Sequence, residues 1–122
     1  MTWTADELDR IAAEDELLIA GRRSDGTLRK AVIVWAVRLG DDLYVRSVNG
    51  PDAAWYRGVQ ARHEGHISAS GIEKDVSFVD VVGEMADQID AAYRAKYQRY
   101  PGPVESITAP QARTTTLQVL PR

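Results

Sequence analysis

The stretch Arg29-Lys30-Ala31-Val32-Ile33-Val34-Trp35-Ala36-Val37-Arg38-Leu39 decides how this chain folds. Side chains alternate across a strand, so Val32, Val34 and Ala36 share one face and Ile33, Trp35 and Val37 the other. A strand apolar on both faces is central to a sheet, or it lies under a helix or a second subunit. Working outward, Glu16–Arg22 carries Leu17-Leu18-Ile19-Ala20 and reads as the preceding strand. Arg23-Ser24-Asp25-Gly26 is the turn between them, with Gly26 free to take positive φ. On the other side Gly40-Asp41-Asp42 turns into a strand over Leu43–Val48, completing a three-stranded meander.

The flanks are mixed. Thr4 and Glu7 have capping-box spacing, and Trp3 with Leu8 forms a hydrophobic staple, so a helix is expected over 4–14. Asp52 is placed to cap a short helix through about Arg62, with Trp55, Tyr56 and Val59 inward. His66–Ser70 and Glu73–Val82 read as a hairpin around Gly71. Met85, Ile89, Ala92, Tyr93, Lys96 and Tyr100 form one stripe of a helix from about Glu84 to Arg99. Pro101-Gly102-Pro103 is expected to stop it, with strands over Val104–Thr108 and Thr114–Leu120. Strand runs with few helices predict a small α+β domain, a barrel with peripheral helices.

The chain has 122 residues, 44% apolar and 27% charged, which is one globular domain spanning 1–122. No apolar run nears the ~20 residues that cross a bilayer. The absence of cysteine excludes disulfides, thiolate metal sites and thiol catalysis. A net charge of −3 gives no general affinity for nucleic acid. With no basic, apolar leader at the N-terminus, a cytoplasmic protein is expected.

Few motifs carry chemistry. His63 and His66 flank Glu64-Gly65 without the spacing that puts two ligands on one helical face, so no metal is expected. No Gly-x-Ser-x-Gly elbow, Walker loop or Rossmann fingerprint is present. Arg22, Arg23, Arg29 and Lys30 bracket the first turn, and Arg46-Ser47-Asn49-Gly50 end the third strand. Such groups suit a phosphate or carboxylate, or else form a solvated edge that discourages aggregation. Trp3, Trp35 and Trp55 serve packing or wall a flat ring, with Trp55-Tyr56-Arg57 the best-placed trio. Tyr93, Lys96, Tyr97 and Tyr100 either orient a substrate or form an amphipathic face with wet tips.

Ile19-Ala20-Gly21-Arg22-Arg23-Ser24-Asp25-Gly26-Thr27-Leu28-Arg29 resembles the start of the deazaflavin-dependent nitroreductase family. Gly40-Asp41-Asp42-Leu43-Tyr44-Val45-Arg46-Ser47 and Ala54-Trp55-Tyr56 look like its next strand and helix start. The whole chain, through Ala91-Ala92-Tyr93-Arg94-Ala95-Lys96-Tyr97 to its end, looks more closely like domain-of-unknown-function family 2255, placed near the flavin split barrels. The resemblance implies a mainly antiparallel split β-barrel, commonly a homodimer, with FMN or the deazaflavin coenzyme at the subunit interface. It implies that Arg23, Ser24, Arg29 and Ser47 hold the cofactor phosphate, that Trp55 and Tyr56 border its ring, and that Tyr93 or Tyr97 meets the substrate. The nitroreductase Ser-Lys-Gly-Gly is Ser47-Val48-Asn49-Gly50 here, without the lysine, leaving Arg46 and Arg57 as substitutes. Two functions follow. One is a flavin- or deazaflavin-dependent oxidoreductase passing hydride to a small molecule. The other is a non-catalytic split-barrel module that binds a small ligand or dimerises. Neither involves nucleic acid or a membrane.

Overall fold

A computed structural model describes residues 2–122 apart from Val82 and Glu84. Helix α1 (Ala5–Ala12) starts as expected, with Thr4 accepting from the Glu7 amide and the Glu7 carboxylate accepting from the Thr4 amide. It lays Leu8 and Ile11 into the core. Seven strands follow: β1 (Leu17–Gly21), β2 (Val32–Val34), β3 (Ala36–Leu39), β4 (Asp42–Val45), β5 (Glu64–Ala69), β6 (Ile72–Asp80) and β7 (Leu117–Pro121). Between them lie α2 (Ala54–Arg62), α3 (Ala86–Lys96), α4 (Pro101–Ile107) and α5 (Pro110–Arg113).

All strand pairs are antiparallel, in the order β2-β1-β5-β6-β7-β4-β3. The two edge strands, β2 and β3, are the halves of one run broken at Trp35. One half pairs with β1 (Leu18↔Ile33) and the other with β4 (Val37↔Tyr44). A sheet whose two edges are one residue apart in the chain must curl round on itself, and the result is a nearly closed barrel. The single strand expected over 29–39 is therefore corrected to two, bent at Trp35.

The bend frees backbone groups that must find partners. Helix α3 supplies them. The Tyr93 hydroxyl donates to the Trp35 carbonyl, the Lys96 ammonium to the Ala36 carbonyl, and the Tyr97 hydroxyl contacts both the Ala36 amide and carbonyl. Tyr97 also lies flat on Trp35, ring centroids 3.9 Å apart. The inner face of the run (Val34, Ala36) joins the barrel core with Ile19, Val45, Ile67 and Val119. Val37 on the outer face joins a second core with Ile89, Tyr93 and Tyr97. The helix-covered strand of the sequence reading is thus real for β3, whereas Ile33 on β2 stays 59% exposed.

Three local expectations change. The strand expected over Val104–Thr108 is instead helix through Ile107, because Pro101 occupies the first turn, where a missing N–H costs nothing. Val104 and Ile107 then face the core one turn apart. The last strand begins at Leu117 instead of Thr114, after α5. Asp52 closes a short 3-10 turn, and α2 starts one residue past uncapped Ala53. The start expected for the long helix at Glu84 lies outside the described residues.

Candidate functional site

A cleft of about 350 Å³ opens where the barrel is split. Its size is that of a small-ligand site. Strand β2 forms one wall through Val32, Ile33 and Val34, and Trp35 and Trp55 contribute two indoles. Pro103 and Ile107 of α4 bound it, with Val48 and Asn49 at the rim. The surface is mostly apolar, and the Asn49 side chain makes no hydrogen bond among the described residues.

Arg46 lies behind the cleft with its side chain wholly buried. A buried guanidinium needs a carboxylate and further acceptors. It finds Asp90 as ion partner, the Thr116 hydroxyl at 2.9 Å, and the carbonyls of Ile107 and Ala86 at 3.2 Å each. It also sits 5.5 Å from the Tyr93 ring centroid. Arg46 therefore ties β4 to α3, α4 and β7 and holds the cleft's floor. Four of its five N–H donors are committed and its charge is paired with Asp90, so it is a poor replacement for the lysine missing at position 48.

Helix α2 presents the cleft's other side. Trp55 and Gly58 are three residues apart and share a face. Arg29 lies across that face. A methyl on Gly58 would come within 2.8 Å of the Arg29 Cδ and Nε. Neither Arg29, Lys30 nor Arg57 has a hydrogen-bond or ion-pair partner for its side chain among the described residues. The N-terminus of α2, one residue before Trp55, has no side-chain cap and carries a partial positive charge. Tyr56 packs edge-on to Trp55, centroids 6.1 Å apart, and burial pushes its phenol pKa up.

The other expected phosphate ligands divide. Ser47 is buried, and its amide donates to the Thr115 hydroxyl at 2.8 Å, but its own Oγ has no partner. An orphaned buried hydroxyl beside a cleft is the kind of group a ligand satisfies. Arg23 and Ser24 sit at the exposed tip of the β1–β2 hairpin. The Arg23 guanidinium closes that turn on the Leu28 carbonyl, and Arg62 of α2 donates to the carbonyls of Arg23 and Ser24. Neither lines the cleft.

Tyr93 and Tyr97 are fully buried, and their hydroxyls are spent on the peptide groups of Trp35, Ala36 and Asp15. Burial raises both phenol pKa values well above the ordinary 10, so both stay protonated. Neither lines the cleft. Of the eight residues proposed from sequence, Trp55 lines the cleft, and Arg29, Ser47 and Tyr56 lie beside its walls. Trp35, named in the sequence only as one of three tryptophans able to wall a ring, and Arg46 and Asn49, named there as anion candidates, also line the cleft. A bulky aromatic at the centre of a run that must pair on both sides was the available signal for Trp35.

Fold and cleft together define a split β-barrel, mainly antiparallel with peripheral helices. The chain belongs to the family DUF2255, described as an uncharacterized protein conserved in bacteria, which matches residues 7–119. No curated protein matches the sequence. Solved structures share the fold at low identity. An F420-H2 dependent reductase (FDR-A) is 14% identical, with 88% of this chain and 94% of that chain covered and a TM-score of 0.64. HutZ, the haem storage protein of Vibrio cholerae, is 13% identical over 97% of this chain and 89% of its own, TM-score 0.70. A FAD-binding protein from Mesorhizobium loti is 13% identical over 100% and 92%, TM-score 0.57. The described residues include no helix long and apolar enough to cross a membrane.

Proposed function

We propose that this protein is an oxidoreductase that binds FMN or the deazaflavin coenzyme in the cleft. The observation that carries this reading is a mostly apolar cleft lined by Trp35 and Trp55, with Arg29, unpaired among the described residues, lying against Gly58 on the Trp55 face of α2, and with the unsatisfied Ser47 hydroxyl carried between cleft residues Arg46 and Val48. Trp35 and Trp55 would border a flat ring system, and Asn49 would meet its polar edge. Arg29, Lys30, Arg57 and the α2 N-terminus would hold a phosphate, with Ser47 completing its hydrogen bonds. Arg23 and Ser24 would contribute through the hairpin tip only if that tip closes over the site. A bound ring of this type supplies the hydride, which fits a cleft whose walls carry no acid or base. Tyr93 and Tyr97 hold Trp35 in place and exchange no proton in this reading. The solved flavin- and F420-linked relatives support it through the fold alone.

The site is completed by a second copy of the chain. Leu18 and Ile33 are register partners on the outer face of β1 and β2, 43% and 59% exposed. With Val48, 42% exposed, they extend the cleft's apolar surface outward. Burying that strip in a homodimer would close the cleft over its ligand.

Equilibrium dialysis against FMN and against the deazaflavin coenzyme tests the reading. Binding of one cofactor per subunit is expected, weakened about tenfold or more in Arg29→Ala, which loses a charge-assisted bond worth about 1.5–3 kcal/mol. Retention of neither cofactor by the wild type would leave the non-catalytic module as the function.

A further inference from the structure

A second cavity, of about 500 Å³, is also bordered by Trp35. It is framed by the loop after α1 (Glu14, Asp15, Glu16) and by Arg99 and Tyr100 after α3. The cofactor reading shares only Trp35 with it. Its walls are of two kinds. Trp35 and Tyr100 make an aromatic corner, centroids 5.7 Å apart with planes tilted by 44°. The same cavity carries three carboxylates. Asp15 is engaged by Arg99 at 3.1 Å and by the Tyr100 hydroxyl at 3.3 Å. The Glu14 and Glu16 carboxylates have no partner among the described residues, and both are exposed.

An aromatic corner beside free carboxylates is complementary to an organic cation, which gains from an open ring face and the charges at once. The cavity already displays that preference on one of its own residues. The Arg99 guanidinium sits 5.5 Å from the Tyr100 centroid while it pairs with Asp15. Its side chain is 70% exposed, so the pair is weak and the arm free to swing out. The remaining cation near the carboxylates is Lys96. It is tucked against the Tyr97 ring and donates to the Ala36 carbonyl, near enough to Asp15 and Glu14 to feel their charge but forming an ion pair with neither Glu14 nor Glu16 among the described residues.

We propose that this cavity binds an organic cation, a guanidinium or alkylammonium group, held between the Trp35–Tyr100 corner and the Glu14 and Glu16 carboxylates. Arg99 is its built-in competitor. The cation could belong to a free small molecule or to an arginine side chain, which share this chemistry.

The test is calorimetric titration of the full chain with butylguanidinium, with neutral butylurea as isostere. Saturable binding is expected at millimolar concentration or below, with none for butylurea. Arg99→Gln removes the competitor and should tighten binding about two- to fivefold. Tyr100→Leu keeps every charge and should weaken it about two- to fivefold. The double variant Glu14→Gln/Glu16→Gln should weaken it about fourfold or more. Acetyl-arginine-amide in parallel separates the sources. Tighter binding than butylguanidinium assigns the site to an arginine side chain, and weaker binding to a free cation. No saturation by about 10 mM overturns the proposal, since the free energy there is under 3 kcal/mol. Equal binding of butylurea, or indifference to Tyr100→Leu and to the double variant, also overturns it. All four positions are on the surface or in loops, and circular dichroism identifies any variant that has not folded.

Discussion

Replacing Asp90 with Asn probes the polar layer that holds the cleft's floor. Asp90 is the one carboxylate in the buried set of the described residues, and its side chain is 7% exposed. It faces Arg46, which has no exposure at all, and its other oxygen lies 3.5 Å from the Arg113 Nε. Asparagine keeps the shape and removes the charge. Arg46 would then sit in a dry layer with only the neutral oxygens of Thr116, Ile107 and Ala86. Breaking one side of a buried pair costs about 3–5 kcal/mol. With unfolding entropy near 2.1 cal/mol/K per residue, 122 residues give about 0.26 kcal/mol/K. The melting temperature should therefore fall by about 12–19 °C, and the urea midpoint by more than about 1 M. The double variant Arg46→Met/Asp90→Leu should regain most of the loss, because the cost lies in the orphaned charge. A loss under about 1 kcal/mol in Asp90→Asn, or a double variant as unstable as the single one, would refute the buried-pair reasoning.

Other outcomes follow from the same contacts. Gly58→Ala should leave stability unchanged or raise it by up to about 1 kcal/mol through helix propensity. It should also push Arg29 off α2 and weaken FMN or deazaflavin binding about tenfold. Paired urea and binding titrations separate the two effects. Ile33→Glu places a charge on the exposed apolar strip and should convert a dimer to a monomer by light scattering, with weaker cofactor binding. Burial lowers the Lys96 pKa to about 8 from 10.5. Between pH 8 and about 10 the unfolded chain holds more protons at this site, so stability should rise with pH. Above about 10 the unfolded tyrosines lose protons that folded Tyr93 and Tyr97 keep, and stability should fall. Urea midpoints from pH 7 to 11 test this, and Lys96→Met should abolish the rise.

Local signals were legible where local chemistry decides. The capping box at Thr4 and Glu7 and the turn at Gly71 each fix a conformation within a few residues, and both were read correctly. The break at Trp35 is a global consequence. Only the closing of the barrel requires one run to serve two edges, and the bulky Trp35 at its centre is a signal that can be read only once that closure is known. Pro101 misled because proline ends one helix and begins another with equal ease, and only the burial of Val104 and Ile107 decides between them. Arg46 sat in a strand pattern next to Ser47, and a lone arginine gives no hint of a buried carboxylate 44 residues away. The tyrosines of α3 were seen as a stripe, but their task of completing the hydrogen bonds of a broken strand became visible only with the bend itself.

The central claim is that the cleft between Trp35 and Trp55 takes a flavin-type ring. Titration of tryptophan fluorescence with FMN, and separately with the deazaflavin coenzyme, tests it most directly, because both indoles lie on the cleft wall. Saturable quenching by one cofactor at low micromolar concentration or below is expected, and Ser47→Ala should weaken it. Absence of quenching by either cofactor at about 100 μM, where the binding free energy is only about −5.5 kcal/mol, would contradict the claim.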